Sequence, residues 1–183
     1  MGLTLITPAT GSLVSVAEAK AWARVDGAAE DAVVTTMLAA AVAKLEELTG
    51  LALAAQGWQL TLDRFSPEIE LPIGPVTAVT AIKYIDPAGA QQTAGVGLYA
   101  LDLTSRPQWV VLGNDQVWPE TKVRVNAVAI EFTSGYTAAT LPASLRRAVL
   151  TLVARWFDDR TDCTVPPGVI DALEAWRTLW IAA

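Results

Sequence analysis

The sequence contains no histidine and a single cysteine, Cys163, among its 183 residues. A chain without histidine lacks the commonest general base, the commonest metal ligand and the partner that activates serine or cysteine nucleophiles. One cysteine cannot form an internal disulfide, and with no histidine nearby to activate its thiol we interpret Cys163 as a buried or incidental residue. The supply of residues therefore argues against an enzyme.

Charged residues and long apolar runs are also scarce. Only 17% of the residues are charged, and the net charge is −6. An acidic chain gains no affinity for nucleic acid from counterion release, which disfavours a DNA-binding regulator. Polar residues interrupt each apolar stretch well before the ~18 residues that suggest a membrane span, and the first ten residues lack the pattern of a signal peptide. We expect neither a membrane segment nor a secretory leader.

Motifs that hold phosphates or metal ions are missing as well. No glycine-rich phosphate-binding loop is present. The carboxylates that remain as candidates for acid–base or Mg²⁺ chemistry are Glu46, Glu47, Asp86, Asp158 and Asp159. Neighbouring residues on a helix diverge by about 100°, so Glu46 and Glu47 cannot converge on one ion. Asp158 and Asp159 end a predicted helix and are typical of a cap or a surface ion pair. We expect no catalytic residue, no metal and no cofactor.

Apolar residues, in contrast, are abundant. They make up 52% of the sequence, slightly more than in ordinary globular domains. This share is enough for a core and leaves apolar side chains for the surface. Surplus apolar surface is what a subunit needs when it buries much of itself against neighbours.

The periodicity of the apolar residues changes twice along the chain. A capping-box spacing at Ser15 and Glu18 predicts a first helix, and an alanine-rich segment from about 29 to 49 predicts a second. Alternating apolar residues between about 58 and 132 predict five to seven short strands. Helical spacing returns after Pro142, and a last helix begins near Gly168.

This order predicts an α+β fold: a small helical bundle of two N-terminal and two C-terminal helices, with an inserted antiparallel β lobe. The expected boundaries are 1–54 and 137–183 for the helical domain with its N-terminal arm, and 55–136 for the β lobe. In the arm, Leu3, Leu5 and Ile6 are candidates for addition to a neighbouring surface.

The tryptophans are the candidates for core and contact positions. We expect Trp22 and Trp156 in the core between the outer helices and Trp58 in the core of the β lobe. Trp109 and Trp118 lie beside prolines in loop-rich stretches, so core packing and a subunit interface are equally open for them.

Four groups of segments make the sequence resemble the head–tail connector, or adaptor, proteins of long-tailed phages and gene-transfer particles. Their order and spacing over roughly residues 3 to 160 carry the resemblance. The segments are LITP (5–8), VSVAEAK (14–20) and RVD (24–26); LTG (48–50) and QGWQLTLDRF (56–65); IKYIDPAG (82–89); and WP (118–119), AVAIEFTSGY (127–136), PASLRRAVL (142–150) and ARWFDDR (154–160).

The resemblance implies a structural role without catalysis, in the neck between head and tail of a particle made in the host cytoplasm. Family members form a ring, commonly of twelve copies, on the portal protein. The ring holds the stopper or tail-terminator protein, and DNA passes through it without specific binding. The resemblance also favours docking of the apolar chain end on the portal, although packing on its own domain is an equal alternative. The anchors would be Trp176, Leu179, Trp180 and Ile181.

Charged side chains suggest where DNA would pass. An acidic channel wall would repel phosphates, and we expect Asp102, Asp115 or Glu120 to face the channel. The arginines of the third helix are interpreted as a solvated face with ion pairs to Asp158 and Asp159, with contact to an acidic portal surface or to DNA as the alternative. They are Arg146, Arg147, Arg155 and Arg160.

Two functions of other classes compete with the neck subunit. One is a soluble protein-binding adaptor module that is not part of a particle, which could remain monomeric. The other is a nucleic-acid enzyme that uses carboxylate-bound Mg²⁺, and the loss of one carboxylate would abolish its activity.

Overall fold

The computed structural model describes residues 1–161 and 164–177. Over these residues the chain forms four α-helices and two antiparallel sheets, which confirms the α+β fold. The elements are β1 (Gly2–Thr7), α1 (Val16–Ala23), α2 (Asp31–Thr49), β2 (Gln56–Leu62), β3 (Glu68–Leu71), β4 (Val76–Ile85), β5 (Gln91–Thr93), β6 (Tyr99–Asp102), β7 (Gln108–Leu112), β8 (Val128–Ser134), α3 (Ala143–Asp158) and α4 (Pro167–Leu173), with single 3₁₀ turns at Val96–Leu98 and Glu174–Trp176.

The chain divides into two compact units. The β unit contains Met1–Thr10 and Ala55–Gly135, and the helical unit contains Gly11–Ala54 and the segment from Tyr136 onward. The N-terminal arm differs from the expected boundaries, which placed it with the helices. It forms β1 and pairs antiparallel with β2, because its alternating Leu and Thr residues suit a strand.

Local signals account for the ends of the helices in the helical unit. The Ser15 hydroxyl accepts a hydrogen bond from the backbone N–H of Glu18 (3.1 Å), which caps the start of α1. The alanine-rich α2 ends at Gly50, whose φ of 69° is the left-handed conformation that glycine adopts without strain. Pro142 and Pro166 precede α3 and α4, since proline cannot donate within a helix but is tolerated at its start.

The core of the helical unit lies where α2 and α3 pack together. Leu45, Leu145 and Leu152 are fully buried there. Arg146 of α3 and Arg160, which follows the end of α3, form ion pairs with earlier segments: Arg146 with Glu18 (3.0 Å) and Arg160 with Glu30 (2.9 Å). Arg146 and Arg160 therefore pair with glutamates of α1 and of the turn before α2.

The larger sheet of the β unit has the strand order β1-β2-β8-β4-β5. Its centre is β8, whose side chains alternate between buried and half-buried, as its period-two pattern predicts. Ile130 lies between Leu60 of β2 and Ile82 of β4 in the paired register, and all three side chains are fully buried. These three residues form one layer of the hydrophobic core of the β unit.

The smaller sheet has the order β3-β7-β6. Gln108 of β7 joins it to the larger sheet through the backbone of Val76, at the start of β4. The Gln108 side chain accepts a hydrogen bond from the Val76 N–H (2.5 Å) and donates to the carbonyls of Val76 (3.3 Å) and Leu103 (2.9 Å). A buried amide thus satisfies backbone groups that the ladder leaves unpaired.

None of the helices formed by residues 1–161 and 164–177 is long and apolar enough to cross a membrane.

Candidate interaction surfaces

Trp118 contributes to the core of the β unit. Its ring stacks on Phe65, with centroids 4.4 Å apart and planes inclined by 2°, and it also stacks on Tyr99 at 6.4 Å. Its indole N–H donates to the carbonyl of Ser66 (2.9 Å), which satisfies the polar edge of a half-buried ring. Core packing within its own unit therefore accounts for Trp118, and a subunit contact is not needed to explain it.

Trp109, unlike Trp118, faces away from the core of the β unit. Its neighbours on β7, Gln108 and Val110, are buried, so the alternation of the strand places Trp109 on the outer face of the smaller sheet. The residues directly opposite it on the flanking strands are Glu70 and Asp102. A half-buried indole between two acidic residues on an outer face fits a contact position better than Trp118 does.

The Asp102 carboxylate closes its own turn. It accepts hydrogen bonds from the backbone N–H groups of Thr104 and Ser105 (3.0 Å each) and from both hydroxyls, at 2.8 Å for Thr104 and 2.5 Å for Ser105. These hydrogen bonds hold the pKa of Asp102 well below its usual range, with the Ser105 hydroxyl as the largest cause. A carboxylate held charged in this way would keep its negative charge wherever it faces.

The turn at Asp102 predicts a pH dependence of folding. Because the folded pKa of Asp102 is lowered, its stabilising contribution is present above the usual aspartate pKa of about 3.9 and is lost as the pH falls from there through the folded value. Asp102→Asn should therefore lose less stability than the wild type as the pH falls from about 5 to about 2, the range in which such carboxylates usually become protonated. Urea unfolding at each pH measures this. Asp115→Asn is the matched control, and equal acid sensitivity of Asp102→Asn and wild type would contradict the prediction.

Asp115 and Glu120 lie in the long connection between β7 and β8, and both are exposed. Asp115 has a left-handed φ of 58°, which aspartate tolerates better than most residues. The same connection exposes three valines, Val117, Val123 and Val125, and the first two are 81% and 101% exposed. The two carboxylates thus share a loop with uncovered apolar side chains that the sequence reading did not single out.

Trp176 is the only proposed portal anchor within the described residues. Leu179, Trp180 and Ile181 lie outside them. Trp176 is half-buried against the helical core, and its indole N–H donates to the Ser144 hydroxyl (3.1 Å). Contacts within the helical unit therefore already bury part of the Trp176 side chain and pair its indole N–H.

The remaining tryptophans divide between core and surface. Trp58 and Trp156 are half-buried and pack against the cores of their units, as expected. The expectation for Trp22 is wrong: its side chain is 49% exposed near the end of α1, where only Ala19 is fully buried. A helix of eight residues has room for few core positions, and the small alanine takes the closest one.

A groove of about 590 Å³ lies between α2 and α3 of the helical unit. Its apolar lining comes from Met37, Ala40, Ala43 and Trp156. The charged part of its lining is already paired, because Lys44 binds Glu47 (2.9 Å) and Arg160 binds Glu30. The alanine-rich pattern of α2 does not by itself indicate the groove, because the groove depends on the tertiary position of Trp156.

Strand β1 is poorly covered. Within the described residues it pairs only with β2, and five of its six residues are exposed. Leu3 and Leu5 lie opposite Leu60 and Trp58, so they share the face that carries the core, yet they remain 36% and 43% exposed. The apolar layer of the sheet therefore continues past the edge of its own core.

Fold and surfaces together define the class of this molecule. Among the residues that the structure describes, no three carboxylate or thiol side chains come together as a metal site. The distinctive features are instead uncovered apolar side chains on the arm, on α1 and on the β7–β8 connection. They are typical of an α+β assembly subunit that works through surface contacts.

Comparison with solved structures identifies the family. A chain in the neck of an empty gene transfer agent particle, computed with C6 symmetry, matches at 30% identity and a TM-score of 0.83, over 100% of this chain and 98% of that one. A chain in the virion of a native gene transfer agent particle matches at 30% identity and a TM-score of 0.81, with the same coverage. A chain in the neck of a native particle, computed with C12 symmetry, matches at 32% identity and a TM-score of 0.76, again with that coverage.

The chain therefore belongs to the head–tail connector, or adaptor, family of phage-type and gene-transfer particles, and its location is the particle neck. This confirms the resemblance that the sequence segments carry. No protein-family model and no curated protein matches the sequence.

Proposed function

We propose that this chain is a ring-forming subunit of the particle neck. Twelve copies sit on the portal, hold the stopper or tail-terminator protein on the other side, and surround the channel through which DNA passes without specific binding. The observation that carries the proposal is the end-to-end match to a neck chain in a reconstruction with C12 symmetry. A ring of identical copies needs two different contact faces on each copy.

The surface chemistry supports a mechanical role. Apolar side chains are exposed on both units, whereas the carboxylates of Asp86 and Asp102 close turns of the chain itself. Twelve copies at −6 each would carry a formal charge of −72, which opposes adhesion of DNA to the ring. Under this proposal Asp102, Asp115 and Glu120 line the channel, Trp109 contributes to a contact between subunits more than the stacked Trp118 does, and the ring works without catalysis.

The portal contact is assigned to the chain end. The segment Trp176, Leu179, Trp180 and Ile181 is strongly apolar, and burial of such side chains against a partner contributes roughly 1.5–3 kcal/mol each. Trp176, held by Ser144, would fix the base from which the following residues reach the portal.

Truncation of the chain end tests this assignment. A chain that ends at Thr178 should bind purified portal rings at least about tenfold more weakly than the full chain, because even one lost anchor is worth that much. Sedimentation of the chain with portal rings measures the binding, and circular dichroism shows whether the truncated chain keeps its helices. A truncated chain that binds as well as the full chain would contradict the assignment of the portal contact to the chain end. A full chain that does not bind portal rings would contradict the proposed function.

A further inference from the structure

We propose that neighbouring copies in the ring are joined by β-strand addition: the free edge of β1 in one copy pairs antiparallel with the free edge of β4 in the next. This inference rests on the proposed ring and names its contact. Each copy would contribute two different edges of one sheet, which gives the head-to-tail contact that a closed ring requires.

The first edge is β1. Strand Gly2–Thr7 reads GLTLIT, and it has no charged residue and no proline. Edge strands that stay free usually carry lysine, proline or a strong bulge, since an unpaired row of backbone groups otherwise recruits another strand. Here one register shift, between Leu5 and Thr7, is the only such device. The outer edge of β1 is therefore suited to pairing.

The second edge is the first half of β4. This strand pairs with β8 from Val76 to Tyr84, but on its other side β5 and the following Ala94 cover it only from Ile82 to Ile85. Gln108 caps the backbone of Val76. Between these two covers lies the stretch from Thr77 to Ala81, along which the structure places no other strand within the described residues. It reads TAVTA and is also free of charge, so the net negative charge of the chain does not oppose the contact there.

The strand directions fit a ring. In the order β1-β2-β8-β4 each strand is antiparallel to its neighbour, so β1 and β4 run in opposite directions. Rotation by one step of a twelvefold ring turns a strand by no more than 30° (one twelfth of a circle), the order of the normal twist between neighbouring strands. The β1 of the next copy therefore reaches β4 in an antiparallel orientation without reversal of the subunit.

The side chains fit as well. Leu3 and Leu5 continue the core face of the sheet beyond its own edge. On β4 the same face carries Val79, which lies opposite the buried Phe132. Pairing of the two edges would place these apolar side chains side by side and cover the leucines that a single copy leaves exposed. The exposed Thr4 and Ala78 would lie at the same junction and give positions for cross-linking.

Paired cysteines test the contact in the full chain with Cys163→Ser. Thr4→Cys combined with Ala78→Cys, assembled on portal rings and treated with a short bismaleimide, should give a covalent ladder that extends beyond dimers. The matched control combines Thr4→Cys with Val96→Cys, which lies in an exposed turn, and should give no ladder. Wild-type rings should also show amide exchange at residues 3–6 and 77–81 slowed at least about tenfold relative to free chain, as expected for newly paired strands.

The outcomes separate the contact from the ring. If rings form but neither the ladder nor the exchange protection appears, the β1–β4 contact is wrong and the proposed function stands. If the control pair gives the same ladder, the contact is not specific and is also overturned. If no version of the chain forms rings with the portal, the proposed function fails and the contact fails with it. Leu5→Lys gives a third readout. It would bury an unpaired charge in the contact and should reduce ring assembly more than about tenfold, while Val96→Lys, in an exposed turn, should not.

Discussion

Replacement of Phe132 by alanine should lower the free energy of unfolding of the β unit by about 3–5 kcal/mol. Phe132 is 1% exposed in the central strand β8, and it lies between Trp58 of β2 and Val79 of β4. Its removal costs the transfer of a buried aromatic ring and leaves a cavity that two flanking strands cannot close. Urea unfolding followed by circular dichroism measures the loss.

Val123→Ala is the matched control for Phe132→Ala. The Val123 side chain is fully exposed, so its truncation should change stability by less than about 0.5 kcal/mol. Equal effects of the two substitutions would show that β8 is not the central strand of the core. The comparison therefore tests the strand order on which the description of both sheet edges depends.

The second large effect should come from Gln108→Leu, with a loss of about 1–3 kcal/mol. The Gln108 side chain is buried and makes three hydrogen bonds to the backbone of Val76 and Leu103. Leucine has a similar volume but leaves these buried backbone groups without partners. Chemical denaturation measures the change.

Gln116→Leu is the control for Gln108→Leu, because Gln116 is exposed. It should be close to neutral in stability. If Gln108→Leu were equally neutral, the amide would not be the link between the two sheets, and the start of β4 would have to be held by other contacts.

The helix signals could be predicted because they are local. Each signal acts on residues within one turn. Ser15 and Pro142 mark the start of a helix in the structure, and Gly50 marks the end of one. The strands were predicted from period-two alternation, which reports the buried face of a strand. Both signals are properties of short segments, so one sequence contains them in full.

The pairing of the strands could not be predicted from the same signals. Alternation places Leu3 and Leu60 each on an apolar face but does not indicate that they are partners 57 residues apart. The role of Gln108 was missed for a related reason, because a polar residue inside an alternating strand gives no sign of the backbone it will reach. Long-range contacts depend on how the whole chain closes.

Surface positions were the least predictable. Trp22 was placed in the core because apolar spacing on a helix does not distinguish a core face from a contact face. Trp109 and Trp118 look alike in sequence, yet one lies on an outer face and the other stacks on Phe65. The residues alone do not indicate which surfaces contact other subunits. The family resemblance indicates an assembly, because it relates this chain to the necks of whole particles.

The central claim is that this chain functions through its contact surfaces and not through reactive groups. Cryo-electron microscopy of particles assembled with this chain tests it most directly. We predict a closed ring of copies directly below the portal, coaxial with the DNA channel, in which the arm of each copy is covered by its neighbour. Particles whose necks are complete without this chain, or that contain it only as isolated copies away from the portal, would contradict it.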